Sequence, residues 1–156
     1  MKYLLLLAVA LAGCGGTKMT KTGPLKACVF SQVDARMTLN GEPVVGARII
    51  REWDWQTKNS DETRTDRDGR FSFPAIYERH PIRLLPAEFN TAQYLTVHYQ
   101  GEEFAFWVAN KREAEENVEL GGIPLELNCE LSDDLKLTHF DLASTVRTVC
   151  TWDKRE

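Results

Sequence analysis

Groups that do chemistry are scarce in this sequence. Its 156 residues hold three histidines, His80, His98 and His139, and none lies in an H-E-x-x-H pair. No G-x-S-x-G elbow occurs, so the motifs of zinc peptidases and α/β-hydrolases are both missing. There is no C-x-x-C, and no His stands at ligand spacing from a Cys. Charge of one sign is missing too. A formal net charge of −4 excludes an electrostatic binder of phosphate backbones, so no nucleic-acid partner is expected. With 43% apolar and 27% charged residues, the chain is neither collagenous nor a disordered tail, and its length allows one core. Ser72, His98 and Asp66 could be assembled into a hydrolase-like set, as in any chain of this size, so no catalytic residue and no cofactor are expected. Asp66-Arg67-Asp68-Gly69 opens like a calcium loop but lacks the later carboxylates, and its arginines would repel the ion. A turn is the better reading, and no metal site is expected.

What is present begins with an address. Lys2 precedes an apolar run from Leu4 to Ala12, too short for the roughly 20 residues of a membrane span. It ends in Leu11-Ala12-Gly13-Cys14, which resembles a bacterial lipobox. That resemblance implies cleavage of residues 1–13 as a signal peptide and acylation of Cys14 through its thiol. Several acyl chains would then hold the chain on a membrane. Gly15, rather than Asp, follows the cysteine, which by the same resemblance implies sorting to the outer membrane, with the domain expected to face the periplasm. Residues 14–26 are rich in Gly, Thr and Lys and read as a flexible tether, leaving 27–156 as the folded domain.

Export places the remaining cysteines, Cys28, Cys129 and Cys150, where disulfides persist. One bridge can form among three. Cys129–Cys150 is favoured, because both lie in adjacent strand-like segments; a bridge from Cys28 is the alternative, and the spare thiol is expected to be buried.

Period-two patterning dominates the domain. Val33, Ala35, Met37 and Leu39 alternate with polar residues up to Asn40-Gly41, a two-residue hairpin signal. Ala47, Ile49, Arg51, Trp53 and Trp55 share one side of a second strand. Residues 56–68 are polar and read as a loop with a short strand at its end, followed by the Asp68-Gly69 turn and the strand Arg70–Phe73. Ile82–Leu85, bracketed by Pro81 and Pro86, fits an edge strand. Tyr94–Tyr99 and Phe104–Val108 form a hairpin, Lys111–Glu119 a charged loop or helical turn, and Ile123–Leu131 and Thr145–Trp152 two further strands. Residues 135–142 suit helix or strand equally. Seven or eight short strands predict a mainly β chain, a single antiparallel sandwich.

Residues 41–47, Gly-Glu-Pro-Val-Val-Gly-Ala, and 65–73, Thr-Asp-Arg-Asp-Gly-Arg-Phe-Ser-Phe, resemble the G-x-P-x-x-G-A … T-D-x-x-G-x-F-x-F signature of transthyretin-like, carboxypeptidase-regulatory-like domains. The resemblance covers about a third of the chain and implies that sandwich fold; the second half, with Tyr77-Glu78-Arg79 and a large aromatic hairpin, departs from it. With the lipobox, the chain also resembles uncharacterised envelope lipoproteins.

The aromatic payload is read mainly as core. Because Phe104 and Phe106 alternate against Trp107, one side of the hairpin is expected to lie exposed; Trp53 and Trp55 share a face with Arg51. Arg51, Trp53, Trp55 and Trp107 are therefore the candidate binding surface. Glu113, Glu115, Glu116 and Glu119 are read as a solvated acidic loop. The function expected is non-catalytic binding of a protein partner from a membrane tether, first as an immunity or inhibitor lipoprotein. The alternatives are a structural or assembly part of an envelope machine, and a carbohydrate-binding module stacking sugars on Trp53 or Trp55.

Overall fold

The computed structural model describes residues 26–79, 89–140 and 144–153. Cys14, the 1–13 leader and most of the tether lie outside the described residues, as do His80 and the Pro81–Pro86 segment. Thirteen strands occur among the described residues: β1 Lys26–Phe30, β2 Val33–Leu39, β3 Glu42–Pro43, β4 Arg48–Asp54, β5 Lys58–Arg64, β6 Arg70–Phe73, β7 Ile76–Arg79, β8 Thr91–Tyr99, β9 Glu102–Lys111, β10 Leu125–Glu130, β11 Lys136–Phe140, β12 Ser144–Thr148 and β13 Cys150–Thr151. One 3₁₀ turn, η1, spans Val118–Leu120. The chain is thus mainly β, as expected, but it exceeds a sandwich of seven or eight strands.

Three sheets result. A six-stranded sheet runs β11-β12-β9-β8-β4-β5, and a five-stranded sheet runs β13-β10-β2-β3 with β6 also on β2. A two-stranded ribbon joins β1 to β7. The core lies between the two larger sheets. Ala35, Met37, Phe71, Phe73, Leu125 and Leu127 meet Ile49, Trp53, Leu95, Val97, Phe106 and Val146 there. Phe71 and Phe106 touch edge to face across the gap, ring centroids 6.0 Å apart.

Four departures from the sequence reading have local causes. Residues 58–64 form a full strand rather than a loop, because every residue of β5 finds a partner in β4, from Asp54↔Lys58 to Arg48↔Arg64. It is an edge strand, and its charges suit an edge. The 135–142 ambiguity resolves as β11 over Lys136–Phe140. Thr145–Trp152 divides into β12 and β13, which belong to different sheets. The sandwich is not wholly antiparallel either. β10 pairs parallel to β2, from Leu125↔Val33 to Glu130↔Thr38. The connection 112–124 carries the chain from one sheet to the other and delivers β10 in that direction.

The two turn signals act as read. Asn40 and Gly41 have φ of 52° and 82°, the positive pair a two-residue hairpin needs. Gly69 has φ 74°, and a Cβ there would collide with the Met37 carbonyl oxygen. The segments 41–47 and 65–73 are clipped together around it. Met37 N–H bonds to Gly69 O at 2.8 Å, Gly46 N–H to Thr65 O at 3.1 Å, and Thr65 N–H to Ala47 O at 3.0 Å.

Cys129 and Cys150 are directly opposed on β10 and β13 and form the disulfide. Among the described residues Cys28 is the free thiol and is buried; burial pushes its ionisation up. With 21 residues of separation, the bridge removes denatured-state freedom worth about 3 kcal/mol in the chain-entropy model. Cys129→Ala with Cys150→Ala is expected to lower the unfolding free energy by about that amount, measured by urea titration.

Glu130, at the end of β10, fastens the β2–β3 turn. Its carboxylate accepts from Thr38 Oγ1, Asn40 N–H and Gly41 N–H at 2.8 to 2.9 Å, and from the Ser132 N–H and hydroxyl. Burial alone would push this carboxyl up; those donors outweigh it and hold it at about 2. A folded value below the unfolded one means the contribution is complete above the ordinary carboxylate range of about 4.5 and is lost as pH falls toward 2. Unfolding midpoints should therefore drop through that window, and Glu130→Gln should flatten that part of the profile.

Candidate protein interface

The expected recognition patch is inside the protein. Arg51 and Trp107 are fully buried and Trp53 nearly so. Trp55 is half-buried and stacks obliquely on Phe89, centroids 5.4 Å apart. The alternation along β4 assigns these side chains to one face correctly, but that face points into the core. Arg51 tolerates its position because its guanidinium is fully partnered. Nε and one terminal nitrogen donate to the two oxygens of Asp61 on β5, and the other donates to Pro74 O at 2.7 Å. The plane lies over the Phe73 ring at 4.4 Å, with Phe30 and Trp53 also close. Trp53 in turn donates its indole N–H to Glu78 at 2.6 Å. A platform for sugars on Trp53 is thereby excluded by burial.

Trp107 is inside for a different reason. Leu95 pairs with Trp107 but Thr96 pairs with Ala105, so Phe106 is an extra residue in β9. This β-bulge shifts the alternation by one. Phe106 and Trp107 both turn inward, and Ala109 and Lys111 follow in the same phase. The hairpin therefore does not leave Trp107 exposed.

The same shift decides what faces water. On the outer side of the six-stranded sheet, one residue from each strand falls into a single row. Leu137 on β11 opposes Arg147 on β12, which opposes Val108 on β9, which opposes Tyr94 on β8, which opposes Glu52 on β4, which opposes Ser60 on β5. Leu137 is 52% exposed and Tyr94 37%. Arg147 is exposed, and Val108 is half-buried between its neighbours. Beside the row lie the small or uncharged Thr145, Asn110, Ala92 and Ala105. At the β5 end the charges are paired, Lys58 with Glu52 at 2.9 Å and Arg48 with Glu62. Of this row, Tyr94 and Arg147 are of the residue types that anchor protein contacts, with the apolar Val108 between them.

Sequence reasoning misses this row. Its signal is present as the other half of the alternation in β4 and β8, the residues out of phase with Ile49, Trp53, Leu95 and Val97. Arg147 and Leu137 cannot be added without knowing that β12 lies next to β9.

The hydrolase-like triple is not assembled. Ser72 and Asp66 border an open depression of about 620 Å³ on the outer side of the five-stranded sheet, whereas His98 sits on β8 in the other sheet, 3.8 Å from Glu103. The Asp66 carboxylate serves its own turn. It accepts from the N–H groups of Asp68 and Arg70 at 2.8 and 2.9 Å, and these bonds hold it below the usual carboxylate range. His139 is exposed on β11, its Nδ1 3.5 Å from the Thr145 hydroxyl.

The acidic run is only partly solvated. Glu113 and Glu115 are exposed, Glu116 accepts the Tyr77 hydroxyl at 2.6 Å, and Glu119 is fully buried. Its partner is the equally buried Lys111, at 3.2 Å.

Arg51→Ala is expected to cost about 3 kcal/mol, since it opens a void among Phe30, Trp53 and Phe73, while Asp61 is partly exposed and can be rehydrated. Tyr94→Ala and Arg147→Ala should stay within about 0.5 kcal/mol of the parent in the same urea titration, marking them as surface anchors rather than core.

No curated protein and no solved structure matches the chain significantly. A family model, described as a domain of unknown function, matches residues 33–134. That span opens at the first residue of β2, passes through both larger sheets and closes after β10, and it includes Tyr94, Val108, Glu52 and Ser60 of the exposed row. The chain belongs to the DUF6795 family.

Proposed function

We propose that this chain is a non-catalytic envelope lipoprotein of transthyretin-like architecture that binds a protein partner as an immunity or inhibitor protein. In this reading Cys14 carries the lipid, residues 14–26 are the tether, and the domain works in the periplasm at the outer membrane. The observation that carries the binding role is the six-residue row from Leu137 to Ser60 on the outer face of the large sheet, with Tyr94 and Arg147 flanking Val108. The clipped 41–47 and 65–73 segments support the architecture. Tethering supports the inhibitor role, because a membrane-held binder meets an incoming toxin at high local concentration. The alternative of an assembly component of an envelope machine uses the same face and the same tether.

The test is contact between siblings. A strain lacking the gene should be killed when grown on a surface against its parent, and the full chain supplied in trans should protect it. A Tyr94→Ala, Arg147→Glu chain, folded to the same urea midpoint, should protect at least tenfold less well, equivalent to about 1.4 kcal/mol of binding. Cys14→Ser should weaken protection while leaving the fold intact. Undiminished survival of the deletion strain beside its parent would remove the immunity role. Envelope defects without sibling killing would move the assignment to the assembly component.

A further inference from the structure

Beneath the end of the β8–β9 hairpin lies a group of polar side chains that the exposed row does not use. Gln93, Lys111 and Glu119 are each fully buried. Gln93 and Lys111 stand on neighbouring strands of the hairpin, Gln93 opposite Ala109 and Lys111 opposite Thr91, so they are diagonal on one inward face. Both reach the same atom. Oε1 of Glu119 accepts from Gln93 Nε2 at 2.9 Å and from Lys111 Nζ at 3.2 Å. The carboxylate is fixed by Ser31, whose N–H donates to Oε1 at 3.1 Å and whose hydroxyl donates to Oε2 at 2.7 Å. Gln93 Nε2 also donates to Val29 O at 2.9 Å. The carboxamide oxygen of Gln93, however, is buried without a hydrogen-bond partner. An amine, a carboxamide and a carboxylate meet at one buried oxygen, with the Gln93 acyl oxygen left unclaimed.

We propose that Lys111 and Gln93 are joined by an intramolecular isopeptide bond, formed autocatalytically with Glu119 as the proton carrier. Lys111 Nζ gives one proton to Glu119 and, as a free amine, attacks Cδ of Gln93. The new Nζ–Cδ bond forms as the carbonyl π pair moves onto Oε1. Nζ then releases its second proton, which passes through the carboxyl to Nε2. The Cδ–Nε2 bond breaks, the carbonyl re-forms and Nε2 leaves as ammonia. Glu119 keeps the first proton, so the atoms balance with no outside reagent and no change of oxidation state. Gln93 Nε2 and Lys111 Nζ are neighbours around one Glu119 oxygen, with Nζ also 3.3 Å from the Ser31 hydroxyl, so a turn of the flexible Lys111 stem is what brings Nζ onto Cδ. The product replaces a buried ion pair with a neutral amide and a protonated carboxyl, which a water-poor interior favours. It also staples β8 to β9 at the end remote from the Gln100-Gly101 turn, closing the hairpin covalently at both ends.

The test is a digest of the full-length protein with trypsin and a glutamate-specific protease, which cuts between Gln93 and Lys111 at Glu102 and Glu103, after reduction and alkylation, read by mass spectrometry. The expected result is a branched peptide joining the Gln93 and Lys111 segments, uncleaved after Lys111 and lighter by one ammonia than the sum of the two linear segments. Two linear peptides, with cleavage after Lys111 and an unlinked residue at 93, would overturn the proposal. Glu119→Gln tests the proton carrier. Linear peptides from that chain, with the Cys129–Cys150 bridge formed, support the assignment, and a branched peptide from it removes Glu119 from the reaction. The digest of the unaltered chain decides the bond itself, whether or not the variant folds.

Discussion

One extra residue in β9 decides which side chains at the centre of the large sheet turn inward and which meet water. Opposite Leu95 and Thr96, the strand carries Trp107, Phe106 and Ala105 where a regular ladder has room for two. Without the bulge, Trp107, Ala109 and Lys111 would face water, and Val108 and Asn110 would enter the core. With it, the indole fills the space between the sheets, Lys111 reaches Glu119, and Val108 takes its place between Tyr94 and Arg147 outside. The core, the buried polar group and the exposed row are three consequences of a single register shift. A bulge costs ladder hydrogen bonds locally, and here the buried surface of two large aromatic side chains on adjacent positions offsets that loss.

Two buried cations divide the interior between them. Arg51 lies under Phe73 and is neutralised by Asp61, which reaches in from the edge strand β5. Lys111 lies at the other sheet position, neutralised by Glu119 from η1. The β5 segment that supplies Asp61 is polar throughout, whereas Glu119 stands between Val118 and Leu120 in η1. Removing Asp61, or either member of the Lys111–Glu119 pair, would leave a charge without solvent, so these pairs fix where β5 and η1 must sit more than they add net stability. That is why residues 58–64, with no apolar periodicity, still hold a full strand. The strand is aligned by seven backbone partners and by one carboxylate that has a single place to go.

Legibility tracks the range of each signal. Local signals read well. The Asn40-Gly41 and Asp68-Gly69 turns and the alternation of β2, β4, β6 and β10 depend on neighbours within a few residues or on a parity of two; the Cys129–Cys150 pair, 21 residues apart, is legible only through the strand character of both segments. Non-local facts do not read. Nothing in 125–130 says that its neighbour will be β2 or that the pairing is parallel. The bulge at Phe106 leaves no mark in the residue pattern, because an aromatic pair suits either face. The face of β4 is legible and its direction is not, since an arginine on the same face as two tryptophans usually signals solvent. The carboxylate that reverses that inference, Asp61, sits in a segment whose composition reads as loop. Glu119 is hidden in the same way, as the last member of an acidic run whose earlier members are exposed.

The separation between inside and outside has a functional consequence. Arg51, Trp53 and Trp107 are all engaged in holding the sandwich together, so under the proposed binding role the contact surface falls to residues outside the core. Tyr94, Arg147 and Leu137 can change without disturbing the core beneath them, because their strand neighbours Gln93, Val146 and Thr138 carry the inward contacts. A rigid sheet with an interchangeable outer row suits a binder whose partner varies while the scaffold stays fixed, since affinity can then be retuned at a few exposed positions with the buried ion pairs left in place. A structural part of a larger machine would place the opposite demand on the same face, fixing Tyr94 and Arg147 against a partner that does not change.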